Sequence, residues 1–272
     1  MKFRAHHFSP PIFKIIYKKI FPATPRANMW SGDYATWEEA KIHCTGYEAA
    51  NILEKCKIAL LKVKKGEAVY ERDSVLFDQL QYSWGLLAGL QKATIENDGK
   101  LSVLDFGGSL GSSYFQNKDF LNNQEIIWSI VEQEHFVNCG KENFEDKNLK
   151  FYHTIEECIE KQRPNVLLLS GVLQYLEQPN EWISKFNNLN ISYIIIDRTA
   201  FLDLGNDFLT IQNVPESIYK ASYPTWVFNK SSFMQRFKNY NLIAETSNNF
   251  TNDQIINGKK AKWTGMILKK SK

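Results

Sequence analysis

Within seven residues, Asp105-Phe106-Gly107-Gly108-Ser109-Leu110-Gly111 brings together an acid, a serine and three glycines at the end of the apolar run LSVLDF. Three chemistries use such residues. Gly107, Ser109 and Gly111 fit the G-x-S-x-G of a hydrolase nucleophile elbow, and Asp105-Phe106-Gly107 spells the metal-binding triplet of protein kinases. The same glycines also suit a nucleotide loop, where a tight turn lets the backbone approach a ligand closely. The kinase reading fails because neither V-A-I-K nor H-R-D-x-x-x-x-N occurs in the chain. A hydrolase needs an acid and then a histidine after the serine. The histidines are His6, His7, His43, His135 and His153, and the only aspartates between Ser109 and His153 are Asp119 and Asp146. No H-G-G-G segment supplies an oxyanion hole.

The nucleotide reading survives. Glu132 ends the next apolar run, IIWSIVEQ, 21 residues after Gly111. A carboxylate there can accept from both hydroxyls of a ribose. A dinucleotide would set its pyrophosphate beside Asp105, which charge repulsion disfavours. A ligand with one ribose, no phosphate, a sulfonium and an α-amino group avoids that conflict. S-adenosylmethionine is such a ligand, and S-adenosylhomocysteine is what remains after methyl loss. The alternative for Asp105 is that it only caps the turn. Asp105, Gly107, Gly108, Ser109, Gly111, Glu132 and Gln133 form the candidate cofactor site, with His153 and Thr154 after the third strand and Ser170 and Gly171 after the fourth.

The elements that must position these residues change character along the chain. Thr36 and Glu39 form a capping box that opens a helix, after a linker-like stretch at 22–35. Apolar residues recur at helical spacing over 46–65 and again from Ser74 to Ile95, so the first hundred residues read as helical. From Lys100, short apolar runs at 101–106, 126–133, 149–153, 165–170 and 193–198 alternate with helical stretches. One of these starts near His135, one is capped by Thr154 with Glu157, and one follows Pro179. This pattern predicts a parallel sheet covered by helices on both faces. Residues 241–250 and 262–270 read as a final antiparallel pair. The division is therefore a segment 1–29, a helical cap region 30–99, and a Rossmann-like α/β domain 100–272.

The 272 residues are 43% hydrophobic and 14% aromatic, enough for a sizeable core. Lys and Arg number 33 against 30 Asp and Glu, a near balance that gives no warrant for nucleic-acid binding. Cys44, Cys56, Cys139 and Cys158 lack C-x-x-C spacing, which points away from zinc or a disulfide framework and toward a reducing cytoplasm. No metal site is expected. Residues 11–21 carry Ile12, Phe13, Ile16, Tyr17 and Ile20 on one helical arc and lysines opposite. Such a segment could rest on an anionic membrane or dock on protein. The lysines make it a poor secretory leader, and no run is long and apolar enough to span a bilayer.

The first motif resembles D-x-G-x-G-x-G of class I S-adenosylmethionine-dependent methyltransferases, with Ser109 in place of the central glycine. Glu132 matches their ribose-binding acid. SGVLQYLEQP (170–179) resembles the segment after their fourth strand, with Gln174 in place of a common histidine, and the final antiparallel pair matches their last two strands. AVYERDSVLFD, LDFGGSLGSSYFQN, LLSGVLQYLEQP, IIIDRT and SIYKASYPTWVF, in that order, are similar to a group of methyltransferases associated with bacterial capsule and lipopolysaccharide loci. The resemblance implies a Rossmann-like sheet and methyl transfer to a small-molecule or glycan-precursor acceptor, such as a sugar or sugar-phosphate. A non-catalytic nucleoside-binding helper in a glycan assembly complex is the rival reading.

Acceptor residues should lie at the C-terminal strand ends. Gln174, Asp197 and Arg198 are the candidates there, and His135 or His153 could serve as base. Arg198 could grip an anion or pair with Asp197. Tyr219, Lys220 and Tyr223 suit a sugar or simple packing. Arg72 in YERD could meet the methionine carboxylate of the cofactor.

Overall fold

The computed structural model describes residues 29–45, 49–121, 125–215, 218, 221–247 and 253–271. The amphipathic segment at 11–21, and Tyr219 and Lys220, lie outside the described residues.

The chain opens with strand β1 (Trp30–Tyr34), helix α1 (Trp37–Ile42) and helix α2 (Ala49–Lys64). Thr36 caps α1, its hydroxyl accepting from Glu39 N–H, as the capping box predicts. Strands β2 (Tyr70–Arg72) and β3 (Val75–Phe77) then form a hairpin, and helix α3 (Trp84–Ile95) follows. The helix expected from Ser74 therefore starts ten residues later. Asp73 and Ser74 both sit at positive φ, 51° and 66°. That is the backbone of a two-residue hairpin turn whose twist matches its strands. The region 30–99 is thus not wholly helical, and residues 30–34 are a strand rather than linker.

The α/β region carries β4 (Lys100–Phe106), α4 (Ser112–Asn117), β5 (Glu125–Val131), α5 (Glu134–Asn143), β6 (Leu149–Tyr152), α6 (Ile155–Gln162) and β7 (Val166–Ser170). A 3-10 turn at Leu173–Tyr175 leads to α7 (Pro179–Asn188), whose first residue is proline, and then to β8 (Tyr193–Leu202). Strands β9 (Phe208–Val214) and β10 (Ala221–Asn229), helix α8 (Lys230–Met234), and β11 (Tyr240–Ser247), β12 (Gln254–Ile256) and β13 (Lys259–Lys270) complete the described chain.

The central sheet runs β6-β5-β4-β7-β8-β13-β11. Its first five members are parallel, and β13 enters antiparallel between β8 and β11. This is the doubly wound, Rossmann-like order. Residues on alternate sides of the strands belong to two cores. Leu101, Val103 and Ile195 face one core, with α2 to α5, and Leu104, Phe106 and Ile194 face the other, with α6 to α8. Burial on both faces explains why these strands read as continuous apolar runs.

Beyond β1 and the β2–β3 hairpin, the two longest strands that were not legible as such are β9 and β10. β9 and β10 pair antiparallel, and β1 adds to the free edge of β9. They join the main sheet because β7 stops at Ser170, opposite Asp197, while β8 continues to Leu202. The end of β10 takes the vacated edge, with Phe228 opposite Phe201. Five residues of β8 therefore extend beyond its neighbour, roughly 16 Å at the strand rise. The segment SIYKASYPTWVF ends in this strand rather than in a loose insertion.

Helix α5 packs its Gly140 against the ring of Phe151 on β6, where an added Cβ would stand 2.4 Å from ring carbons. Alanine favours helix over glycine by about 1 kcal/mol, but overpacking a closed core costs about 1–3 kcal/mol. Gly140→Ala should therefore lower stability despite its better propensity. Its melting temperature should fall by a few degrees in calorimetry; an unchanged or raised value would contradict the packing described.

Candidate active site

The loop after β4 is built from alternating left-handed residues. Gly107, Ser109 and Gly111 have φ of 71°, 54° and 106°. Gly107 N–H donates to the Val131 carbonyl, extending the β4–β5 ladder, and Gly111 N–H closes back on the Gly108 carbonyl. Gly108 lies directly over Asp105, where a Cβ would come within 2.5 Å of the carboxyl carbon. The loop has space for glycine there and for nothing larger.

Asp105, named from the sequence as a candidate cofactor residue, lies beneath the loop rather than open to a ligand above it. Along β4 it shares the face of Leu101 and Val103, and it is 1% exposed. Its carboxylate accepts from the buried Trp128 indole N–H at 3.0 Å. It therefore supports the loop from beneath. Burial pushes its pKa up to about 7, against the Trp128 hydrogen bond.

Glu132 follows β5 and faces the loop. Its two oxygens accept from Ser109 N–H at 3.3 Å and from Gln133 N–H at 2.8 Å. Burial raises its pKa, opposed by those same two donors. His135, in the first turn of α5, is close enough to act on the Glu132 charge. Its Nε2 is buried with no hydrogen-bond partner in the structure. His135 thus groups with Glu132 rather than with Gln174, Asp197 and Arg198. His153 and Thr154 are exposed at the start of α6, where Thr154 caps Glu157 N–H at 3.1 Å.

The hydroxyl of Ser109 lies against the Cys56 thiol. Burial, followed by the charges of Glu71 and Asp73, pushes that thiol up to about 12, so it stays protonated. This arrangement does not activate a serine nucleophile.

At the ends of β7 and β8 a polar chain crosses the sheet. Asp197 is 4% exposed and accepts from the hydroxyls of Ser83 at 3.1 Å and Ser170 at 3.2 Å. It shares the core-facing side of Ile195 and is almost fully buried, so it positions Ser170 and the start of α3 rather than meeting an acceptor. Arg198 does not pair with it by hydrogen bond. The Arg198 Nε donates instead to Ser170 Oγ at 3.2 Å, and its guanidinium lies 3.7 Å from Asp73. Gln174 is buried, not a surface side chain, and its Nε2 donates to the Arg198 carbonyl at 3.1 Å. Gly171, at φ 66°, bonds the Asp197 carbonyl and leaves only 3.5 Å between a hypothetical Cβ and the Arg198 guanidinium.

The β2–β3 hairpin spans these two groups. Glu71 accepts from the Ser112 hydroxyl at the start of α4, while Asp73 faces Arg198. Burial raises Glu71 to about 7, against the Ser112 hydrogen bond. In YERD it is therefore Glu71 and Asp73 that reach the loop ends. Arg72 lies over the Phe77 ring at 5.1 Å. Only the tertiary pairing distinguishes these neighbours, although Asp73 and Ser74, turn-type residues ahead of the apolar run Val75-Leu76-Phe77, could have signalled a turn. Tyr223 on β10 meets Tyr175 edge-on at 5.2 Å, and Tyr175 donates to Gln212 on β9. A groove of about 300 Å³ between α2 and β3, lined by Lys55, Ile58, Lys62 and Leu76, lies apart from the glycine loop.

No protein-family model matches this chain, and no curated protein matches it by sequence. Solved structures resemble it in chain path. An S-adenosylmethionine-dependent methyltransferase from Clostridium acetobutylicum aligns at 10% identity over 71% of this chain and 93% of its own, with a TM-score of 0.45. The N-terminal domain of EvdMO1, solved with S-adenosylhomocysteine and D-fucose, aligns at 12% identity over 83% and 98%, with a TM-score of 0.47. A 1,6-didemethyltoxoflavin-N1-methyltransferase from Burkholderia thailandensis aligns at 11% identity over 92% and 99%, with a TM-score of 0.42. At such identities and scores, what the site can do has to be read from its own residues.

Ser109 holds a left-handed backbone that an L-residue with a Cβ adopts at a cost. Ser109→Gly should keep the fold and be neutral to stabilising by up to about 1 kcal/mol, after the unfolded-state entropy of glycine is counted. Urea unfolding reads this; a loss of stability would show that the Ser109 hydroxyl matters more than its backbone.

Asp105 and Glu71 also set a pH dependence. From the unfolded carboxyl value of about 4 up to the folded value of about 7, the native state holds protons that the unfolded chain has released. Stability should therefore fall as pH rises through this window and level off above it. Asp105→Asn, which keeps an oxygen for Trp128, should flatten the fall and be more stable than the parent near neutral pH. Parallel curves for parent and variant would count against it.

Proposed function

We propose that this protein is an S-adenosylmethionine-dependent methyltransferase. The observation that carries the reading is the Glu132 carboxylate at the end of β5, set against a loop of alternating left-handed residues after β4. A carboxylate has about four lone-pair positions. Two accept from Ser109 and Gln133 N–H. The remaining two match the two hydroxyls of one ribose. The unpartnered Nε2 of His135 beside it offers a further polar contact. The residues therefore fit the group.

When bound, S-adenosylmethionine supplies an electrophilic methyl on a sulfonium, and a neutral thioether departs without needing a proton. What remains for the protein is positioning. Glu132 fixes the ribose end and the 107–111 loop sets the depth of approach. Ser170, Gly171 and Gln174 shape the floor beside it, and Gln174 secures the Arg198 peptide. A hydroxyl acceptor loses a proton as its new bond forms, whereas a carboxylate or phosphate oxygen has none to lose.

For the acceptor we favour a sugar, sugar-phosphate or phosphate-modified precursor of a bacterial surface polysaccharide, methylated on oxygen. The ordered motifs shared with capsule- and lipopolysaccharide-associated methyltransferases support this. So does Tyr175, which lies close enough to act on the Arg198 charge and meets Tyr223 edge-on. Among the described residues no helix is long and apolar enough to cross a membrane.

Calorimetry tests the cofactor. The protein should bind S-adenosylhomocysteine and not NAD. Glu132→Ala removes two hydrogen bonds to a charged acceptor, each worth about 1.5–3 kcal/mol, so affinity should drop at least about tenfold. Glu134→Ala, exposed in the first turn of α5, should be near neutral. Equal weakening by both variants, or undiminished binding by folded Glu132→Ala, would remove the reading's support.

A further inference from the structure

Arg198 and Asp73 form a pair of an unusual kind. Both lie in the left-handed region, at φ 52° and 51°. Neither arginine nor a strand interior favours that conformation, and strained backbone of this sort gathers where a side chain must be presented to a ligand. The pair is also loose. The guanidinium stands 3.7 Å from an Asp73 carboxylate whose side chain is 67% exposed, against 25% for Arg198. No hydrogen bond joins them, whereas the opposite edge of the guanidinium is fixed to Ser170 through its Oγ at 3.2 Å and its carbonyl at 3.5 Å.

Other contacts hold Arg198 in place whether or not Asp73 is present. Gln174 bonds its carbonyl, Gly171 leaves room for its plane, and Asp197 anchors Ser170 from behind. Asp73, by contrast, sits in a two-residue turn at the tip of a hairpin. The cation is built in and its counter-charge is on a tip. The phenols of Tyr70 and Tyr175 lie close enough to act on the Arg198 charge.

We propose that the acceptor carries a negatively charged group, a carboxylate or a phosphate, which the Arg198 guanidinium receives in place of Asp73. This rests on the methyl-transfer reading of the same cleft. Asp73 holds the guanidinium in an ion pair until the anion arrives, then yields it. A planar guanidinium already fixed along one edge can present its other N–H groups as a fork to such an anion. A neutral sugar gains nothing from the exchange.

The test is calorimetry on the full chain saturated with S-adenosylhomocysteine, using glucuronate, glucose 6-phosphate and glucose as probes. At least one anionic probe should bind and glucose should not; which one binds distinguishes carboxylate from phosphate. Asp73→Asn removes the competing charge and keeps a residue that tolerates positive φ. It should tighten the anionic probe about two- to fivefold, the scale of an exposed ion pair, and leave S-adenosylhomocysteine affinity unchanged. Arg198→Gln, checked for folding by circular dichroism, should abolish probe binding. If Arg198→Gln does not fold, Asp73→Asn alone decides the matter, since its direction of change is opposite to that of general damage. The proposal is overturned if neither anion binds to parent or Asp73→Asn, if Asp73→Asn weakens binding, or if folded Arg198→Gln binds as the parent does. Failure of S-adenosylhomocysteine to bind, with Arg198-dependent anion binding intact, would instead sink the methyl-transfer reading.

Discussion

The site depends on one mismatch of strand length. β7 ends at Ser170, while its partner β8 runs on to Leu202. A parallel strand that outlasts its neighbour exposes a row of unpaired backbone groups, and such an edge must be covered. The end of β10 covers it, bringing β9 and β1 with it. The same overhang places Arg198 just past the last shared pair, where its backbone turns left-handed and its side chain folds over Gly171. The C-terminal side of the sheet thereby acquires a wall on one flank and a fixed cation at its foot.

Polar groups beneath the site are buried in a way that rigidifies it. Asp105 under the glycine loop and Asp197 behind the β7–β8 ends are both almost fully buried. Each is bonded to a side chain on a neighbouring element, Trp128 in the first case and Ser83 and Ser170 in the second. A buried acid is costly unless satisfied, and these bonds tie β4 to β5 and β8 to both β7 and α3. Asp105, whose raised pKa follows from burial, gives up stability near neutral pH to hold the loop floor in one shape.

Above this floor the β2–β3 hairpin joins the two halves of the site. Glu71 engages Ser112, at the start of the helix that follows the glycine loop, and Asp73 engages Arg198. One short hairpin therefore touches both the helix that follows the glycine loop and the Arg198 side chain beyond the end of β7. Its first contact is buried and its second lies at an exposed tip, so the two differ in how readily a ligand can replace them.

The amino-acid sequence by itself determined the parallel strands, the capping of α1 and α6, the glycine loop and the acid 21 residues beyond it. Each is written locally, in apolar runs, capping boxes and glycines that only certain backbones accept. Exclusion of a serine hydrolase was legible too, from the order of histidines and acids. The inward turn of Asp105, the burial of Gln174 and Asp197, and the partners of Arg198 were decided only by the tertiary structure. A strand residue's side is fixed by register with strands far away in sequence, and the partner of a charge by which loop folds across it. Likewise β9 and β10 gained their place from the unpaired edge of β8, a vacancy no local pattern in SIYKASYPTWVF records. The hairpin at 70–77 lies between these cases: its turn residues, Asp73 and Ser74, are in the sequence, but the choice of Glu71 and Asp73 over Arg72 as the residues that reach the site follows from the face that packs against α4 and β8.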